Sequence, residues 1–381
     1  MSKAKRVVPV LLVLAINTAA AQSSWQFTGI PALNFNSDEG FGSGAVVQAF
    51  NYGAVPSEGY RYTIQPTAFF TTKGRRDLSV FFDAPHLLPN GWRVGAYVAR
   101  EQQLAAPYYG IGNATQFDAS KQLAPNPYYY RFGRDAYRAT ANLQRPIGGA
   151  VRLLIGAGVR ATTIDQTPFD SGTTLLRSET RGAQLERGRL VYGRLGMVYD
   201  TRDRETGPTR GQWSELLVQR GIRALGGNQE FTRATGTVRT YLPLAPRLTL
   251  ASRVIGEQSW GTIPFYEISV IQGSFKDDDG LGGAATLRGW PKDRFIGKSL
   301  ALTNQELRWR ATEFQLRGRE AELIASTFVD AGRVFDGGGS WHASYGGGLR
   351  LQYGRDFVIA TDVGHSRESN AAVYIGLGYL F

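Results

Sequence analysis

The final ten residues, "AVYIGLGYLF" (372–381), alternate between two faces of different character. One face carries Val373, Ile375, Leu377, Tyr379 and Phe381, and the other carries Tyr374, Gly376, Gly378 and Leu380. Successive side chains of a β-strand point to opposite faces, and a soluble sheet places charged or hydroxylated residues on its wet face. Neither face is charged here, which indicates a strand that lies against lipid.

Three internal stretches show the same alternation with a polar inner face. They are "AVRLLIGAGVRATT" (150–163), "RLVYGRLGMVYDTRD" (189–203) and "SLALTNQELRWRA" (299–311). Strands of about ten residues, apolar outward and polar inward, are typical of a transmembrane β-barrel. Because only helices and closed barrels satisfy every backbone group in lipid, the pattern predicts an all-β, closed antiparallel barrel.

Composition agrees with one membrane domain built from strands. The 381 residues include no cysteine and 47 glycines, and 12% of them are aromatic. No segment reaches the run of about 18 apolar residues that a transmembrane helix requires. Counting the candidate strands gives about sixteen, an even number, as bacterial barrels require.

The candidate strands span residues 25–35, 41–53, 59–71, 75–86, 91–102, 130–145, 150–164, 188–202, 210–221, 228–242, 246–258, 299–311, 322–334, 342–353, 356–366 and 372–381. Long connections are expected at 103–129, 165–187 and 259–298, whereas short ones carry turn residues such as Pro89-Asn90-Gly91. Long loops outside and short turns inside are expected of a barrel inserted from the periplasm.

The first residues are typical of a secretory signal peptide. Lys3, Lys5 and Arg6 precede a short apolar run, and Ala19–Ala21 supplies a small-residue cleavage site. We therefore expect export through the Sec pathway with removal of residues 1–21, leaving residues 22–381 as a barrel in the bacterial outer membrane. The first strand begins near residue 25, which leaves no segment for a periplasmic module.

Five motifs carry a family resemblance. They are "PYYGIGN" (107–113), "YDTRDRETGPTRG" (199–211), "LRGW" (287–290), "NQELRW" (304–309) and "FVDAGRVF" (328–335), followed by the terminal aromatics Tyr379 and Phe381. Together they resemble the bacterial surface antigen superfamily of BamA/TamA-type assembly and translocation barrels. Members of that superfamily normally carry polypeptide-transport-associated (POTRA) domains before the barrel, so the chain resembles a form lacking them.

The resemblance implies a role for Leu287, Arg288, Gly289 and Trp290. In the family, the long loop between strands eleven and twelve enters the lumen, and its motif arginine is held by acidic groups of the wall. Matched by position, those groups are Glu306 and Asp330. The residue pattern supports this assignment, because alternation points both carboxylates inward. A guanidinium also binds carboxylates well, through two parallel hydrogen bonds. The alternative is an arginine solvated in an outer loop.

No catalytic, cofactor or metal site is predicted. His365 and Ser366 are adjacent on a strand and face opposite ways, while His342 and Ser344 share a face without a third group to orient the imidazole. "KDDDG" (276–280) lacks the spaced ligands of a calcium loop and is expected to be a hydrated acidic loop.

Arginines are expected to line the lumen. Those that alternate with apolar residues are Arg152, Arg160, Arg194, Arg233, Arg239, Arg308 and Arg310. They either give a positive lumen that favours anions or pair with luminal acids. An interior lining does not indicate nucleic acid. The expected partners are outer-membrane lipids, including lipopolysaccharide, and unfolded outer-membrane or secreted client proteins.

Three functions follow from this interpretation. The leading hypothesis is a non-enzymatic factor for protein insertion or translocation, which acts through a weak seam where glycine-rich strand sixteen meets strand one. The alternatives are a passive pore or plugged channel and a structural outer-membrane anchor.

Overall fold

The computed structural model describes residues 25–36, 39–52, 60–123, 125–185, 187–316, 318–354 and 357–381, so the predicted signal peptide lies outside the described residues. Sixteen strands form one closed antiparallel barrel. The predicted fold class and even strand number are confirmed. Among the described residues, no α-helix combines the length and apolarity of a membrane-spanning helix.

The barrel strands are β1 (Trp25–Asn36), β2 (Gly40–Asn51), β3 (Tyr62–Thr71), β4 (Arg75–Ala84), β5 (Arg93–Pro107), β6 (Arg131–Gly148), β7 (Val151–Asp165), β8 (Gly188–Asp200), β9 (Gly211–Gly221), β10 (Glu230–Ala245), β11 (Leu248–Thr262), β14 (Ser299–Leu316), β15 (Arg319–Val334), β16 (His342–Tyr353), β17 (Phe357–His365) and β18 (Ala372–Leu377). Helix α1 (Leu175–Glu179) follows β7, and β11 is followed by α2 (Phe265–Ile268) and the paired short strands β12 (Val270–Ile271) and β13 (Asp278–Asp279). Short 3₁₀ turns lie at Pro89–Gly91, Ala119–Gln122, Pro168–Asp170 and Arg223–Leu225.

Side chains alternate across the wall as predicted, but the lumen is more apolar than expected. On β7, Ile155 is 55% exposed on the outer face, whereas Leu154 is fully buried inside. Leu154 packs with Trp213, Leu217 and, less deeply buried, Phe275 from the β11–β14 connection. Apolar residues therefore face inward where a loop fills the barrel.

The three long connections, at 108–130, 166–187 and 263–298, all leave the same end of the barrel. Two-residue turns at 149–150 and 246–247 lie at the opposite end. We call these the long-loop end and the short-turn end. Their positions match the predicted long connections to within a few residues.

The last strand differs from the prediction. It ends at Leu377, and Gly378, with φ +87°, turns the chain inward. Tyr379 donates a hydrogen bond to Gln352 Oε1 at 3.1 Å, and Phe381 is only 7% exposed. The predicted end of the strand at residue 381 was therefore wrong, and the terminal aromatics Tyr379 and Phe381 lie inside the barrel. The physical reason is the Arg308 guanidinium, which lies 4.5 Å from the Tyr379 ring and 5.2 Å from the Phe381 ring.

The barrel closes through a short seam between β1 and β18. Within the described residues, the seam contains two residue pairs, Phe35 with Ile375 and Asn36 with Tyr374, both towards the long-loop end. On its other side, β1 pairs with β2 along its full length. Among the described residues, the remaining part of β1 has no second strand partner. An incompletely paired strand edge is a place where another strand can add.

Candidate functional site

The β11–β14 connection, residues 263–298, folds into the barrel, and we call it the lumen loop. Its buried apolar side chains are Ile271, Leu281, Leu287, Trp290 and Phe295, which cluster with Ile255, Leu300, Leu302 and Val334 of the wall. Burying one such large side chain stabilises a fold by roughly 1.5–3 kcal/mol. Apolar packing therefore accounts for much of the loop's position.

Arg288 of the LRGW motif is fully buried, with its guanidinium among carboxylates. Nε and Nη2 donate to the two oxygens of Asp330 at 2.9 and 3.0 Å. Nη1 donates to Glu306 Oε1 at 3.2 Å and to Asp362 Oδ2 at 3.1 Å. The guanidinium carbon lies 3.4 Å from the Phe328 ring centroid. The structure thus brings Arg288, Glu306 and Asp330 together and adds Asp362, which the sequence interpretation missed.

Two further arginines complete what we call the charge cluster, which consists of Arg288, Arg308, Arg350, Glu306, Asp330 and Asp362. Arg350 donates to Asp362 Oδ1 at 2.6 Å and to Glu306 Oε1 at 2.5 Å, and Arg308 Nε donates to Glu306 Oε2 at 2.8 Å. Three cations therefore face three carboxylates. Burial alone would lower the pKa of Arg288, but Asp330 foremost, with Glu306 and Asp362, raises it above its ordinary value.

Two glycines let the lumen loop touch the backbone of β17. A Cβ added at Gly289, where φ is +99°, would lie 2.9 Å from the carbonyl carbon of His365. A Cβ added at Gly364 would lie 2.7 Å from the Gly289 nitrogen. Gly289 also donates its N–H to Tyr374 Oη at 3.0 Å and accepts from Ser366 Oγ at 2.7 Å. The motif glycine therefore anchors the loop to both β17 and β18.

Trp290 fixes the other side of the motif. Its indole N–H donates to the Ala343 carbonyl at 3.1 Å, and its ring lies 5.2 Å from that of Phe295. Phe295 stacks on His342 at a centroid distance of 3.7 Å, and His342 Nε2 lies 3.0 Å from the Asn113 carbonyl oxygen. These contacts give His342 a packing role beside the loop.

Gly364→Ala is expected to displace the lumen loop. The added methyl group would overlap the backbone at Arg288 and Gly289, and such overpacking typically costs about 1–3 kcal/mol. Limited proteolysis should cut residues 263–298 faster in this variant. Gly256→Ala is the matched control, because nothing lies within 4 Å of a Cβ added to that strand glycine. Equal cleavage of both variants would contradict the expected displacement.

The acidic stretch 276–280 stays partly exposed inside the barrel, and its aspartates also pair with arginines of the wall. Asp277 lies 2.8 Å from Arg160 and 3.2 Å from Arg138, and Asp278 lies 3.3 Å from Arg253. Wall arginines thus neutralise aspartates that the lumen loop carries inside. The sequence did not show these ion pairs, because the composition of a short stretch does not reveal the cations it meets across a barrel. No metal-binding group of His, Cys, Asp or Glu occurs among the described residues.

The lumen loop also contacts the first turn of the barrel. Lys292 Nζ lies 2.9 Å from Glu39 Oε1, between β1 and β2, and 3.1 Å from Asp279. Burial alone would raise the pKa of Glu39, but Lys292 and Arg75 hold it well below its usual range. Together with the Gly289–Tyr374 bond, this ion pair connects the loop to both sides of the seam. We call these two contacts the seam bridge.

Asp293 is expected to make the loop sensitive to pH. Burial, reinforced by Asp279, raises the pKa of Asp293 to about 7, and its Oδ1 accepts from the Gly280 N–H at 2.8 Å. The folded state therefore holds a proton that the unfolded chain loses first, so stability falls as pH rises from about 4 to 7. Asp293→Asn should raise the thermal-unfolding midpoint more at pH 8 than at pH 5. An equal change at both pH values would contradict this assignment.

Most of the predicted lumen arginines lie against luminal acceptors. Arg160, Arg233, Arg308 and Arg310 each have a carboxylate within the ion-pair distance. Arg194 donates to Asn142 Oδ1 at 2.8 Å and to the Gly273 carbonyl at 3.0 Å, and Arg239 lies 4.4 Å from the Trp213 ring. Of the two interpretations of the basic lumen, the structure favours pairing.

The protein is a closed sixteen-strand barrel with a loop anchored in its lumen by a buried arginine. The Omp85 superfamily domain matches residues 60–365, which include the lumen loop and all six residues of the charge cluster. The chain belongs to the Omp85 superfamily, which confirms the resemblance found in the sequence and supports an outer-membrane location. No curated protein sequence matches the chain.

Solved structures of similar fold include BamA from Haemophilus ducreyi lacking POTRA domains 1–3, with a TM-score of 0.59 and 13% identity. CdiB from Escherichia coli gives 0.60 and 12%, and CdiB from Acinetobacter baumannii gives 0.55 and 12%. Each alignment covers 94% of this chain, but only 70%, 63% and 60% of the respective partners. The chain thus spans less than two thirds of either CdiB chain, and the likeness is one of fold.

Proposed function

We propose that this barrel assists the insertion or translocation of proteins at the outer membrane, without enzymatic chemistry. The observation that carries the proposal is the seam, where the described residues form two β1–β18 pairs, whereas the other neighbouring strands are paired along most of their length. A client strand can add to the exposed edge of β1 by main-chain hydrogen bonding. Superfamily membership and the fold likeness to BamA and CdiB support the same role.

The lumen loop controls the seam in this mechanism. The charge cluster holds the loop on β14 to β17, while the seam bridge connects it to β18 and to the β1–β2 turn. Opening the seam requires loss of the β1–β18 pairs described above and of the Lys292–Glu39 ion pair. The loop then stays with the wall while β1 moves away. A passive pore has less support, because the loop fills the lumen.

Purified barrel in liposomes tests the proposal. Insertion of an unrelated, unfolded outer-membrane protein is followed beside ion flux, with empty liposomes as the baseline. We expect faster insertion by the native chain and loss of this gain in Arg288→Ala. Ion flux without faster insertion would instead identify a channel, and neither activity would identify an anchor.

Gly376→Val is expected to slow insertion by stiffening β18. Nothing lies within 4 Å of a Cβ added at Gly376, so the change acts through strand propensity, which spans about 1 kcal/mol between residue types. That corresponds to roughly fivefold in the opening equilibrium. Gly236→Val, on β10 away from the seam, is the control, since a Cβ there also meets nothing within 4 Å. Unchanged insertion in Gly376→Val would count against opening at the seam.

A further inference from the structure

A cavity of about 630 Å³ lies on the outer wall at the long-loop end. We call it the rim groove, and its principal lining residues are Phe70, Lys73, Arg76, Tyr128, Arg131 and Phe169. Phe70 and Arg76 pair directly across β3 and β4 and therefore share the outer face. Further along β4, that face continues with Leu78, 49% exposed, and Val80, 45% exposed. The groove thus lies where the lipid-facing apolar belt gives way to charge.

The groove is basic along its described lining. Lys73, Arg75, Arg76 and Arg131 line it, and no carboxylate occurs among its described lining residues. Arg75 turns inward to Glu39, whereas Arg76 Nη1 donates to Gln102 Oε1 at 3.4 Å. Arg131 donates to the Ala105 carbonyl at 3.5 Å. Across the described part of the chain, neither Arg76 nor Arg131 has an ion-pair partner, in contrast to lumen arginines such as Arg160 and Arg233.

The aromatic side of the groove is held in an unusual conformation. Phe169 has φ +56°, a region that residues other than glycine rarely adopt, and its side chain remains 55% exposed. Its ring lies 4.9 Å from that of Tyr128. Such outliers persist only where the surrounding structure imposes them, and they cluster at functional positions. An aromatic pair of exposed Phe169 and half-buried Tyr128 at the edge of the apolar belt suits the boundary between acyl chains and headgroups.

We propose that the rim groove binds a phosphorylated, acylated lipid. The Arg76 and Arg131 guanidiniums would take the phosphate in charge-assisted hydrogen bonds, for which arginine has the better geometry. The acyl chains would lie along the outer face of β4, and the sugar or glycerol part would contact the Tyr128–Phe169 pair. The groove opens onto the membrane-facing wall, which favours a lipid over a soluble anion. The lipid anchor of lipopolysaccharide has this chemistry.

Binding of lipid A to the purified full barrel in detergent tests the proposal, with native mass spectrometry as the readout. The Arg76→Gln/Arg131→Gln double variant should bind about 25-fold more weakly, at roughly fivefold for each cation near an anionic lipid surface. The matched control is Arg220→Gln, because Arg220 also lies outward at the long-loop end but pairs with Glu230 at 2.5 Å. It should bind like the native chain. All three residues are on the surface, and retained heat-modifiable mobility on gels establishes that each variant folds.

Two further probes separate phosphate recognition from simple lipid adhesion. Dephosphorylated lipid A should bind the native chain as weakly as intact lipid A binds the double variant. Inorganic phosphate should compete only at concentrations far above those of the lipid. Equal binding of intact and dephosphorylated lipid, or an unaffected double variant, would overturn the proposal. Tight binding of inorganic phosphate alone would also overturn it, because the groove would then be a site for soluble anions.

Discussion

Replacing Arg288 with alanine is expected to lower the free energy of unfolding by about 3–5 kcal/mol, as is usual when one partner of a buried ion pair is removed. Asp330 is fully buried, and its described ion-pair partner is Arg288. The truncation therefore leaves a carboxylate without compensation and removes the main link between the lumen loop and the wall. Urea unfolding in detergent, followed by tryptophan fluorescence, measures the loss, and proteolysis within residues 263–298 measures the release of the loop.

Two comparisons establish that the charge cluster is responsible. Arg310→Ala removes a partly exposed arginine that pairs with Glu313 and Glu322, and it should cost less than about 1 kcal/mol. The double variant Arg288→Ala/Asp330→Ala should cost less than the sum of the single changes, because it leaves no unpaired charge at that position. Additive single changes would show that the two residues do not act as a pair.

A disulfide across the seam is expected to abolish most client insertion. The chain contains no cysteine, so a Phe35→Cys/Ile375→Cys variant has a single way to form a disulfide within one molecule. Directly paired antiparallel residues have Cα atoms about 4.5–5.5 Å apart, within the range that a disulfide spans. Oxidation would lock β1 to β18, and reduction should restore the rate measured in liposomes.

The control for the seam disulfide lies one strand away. Val363→Cys/Val373→Cys joins β17 to β18 at another direct pair, without closing the seam. Its oxidation should leave insertion close to the native rate. Full activity of the oxidised seam variant would show that β1 and β18 need not separate during insertion. Inactivity of both oxidised variants would point instead to a general need for flexibility in β18.

The wall of the barrel was predictable because period-two alternation is a local property of the chain. The alternation within each strand predicts which residues face outward and which face inward, as for exposed Leu153 and buried Leu154. That the inner residue is a leucine is explained only by the lumen loop that packs beside it. The end of the last strand was predicted incorrectly, because Gly376 and Gly378 occupy equivalent positions in the alternation. Only Gly378 adopts φ +87° and ends the strand.

The candidate site was predictable in part, and for a different reason. Arg288, Glu306 and Asp330 came from motifs of a known superfamily, whereas Arg350 and Asp362 depend on how β16 and β17 pair. Gly348 lies directly opposite Asp362, and a Cβ there would come within 2.4 Å of Arg350 Nη1. The absence of a side chain at Gly348 makes room for that ion pair. Such registers arise from the whole barrel and cannot be inferred from one strand.

The lumen loop bonds to residues that lie far from it along the chain, and this separation affects the order of folding. Arg288 bonds to Asp362 across 74 positions, and Gly289 bonds to Tyr374 across 85. Contacts between distant residues form slowly, because the entropy of closing the intervening segment is lost before the contact compensates for it. The loop can therefore reach its final place only after β17 and β18 have joined the sheet. During biogenesis, a protease-resistant loop would mark the moment at which the barrel is complete.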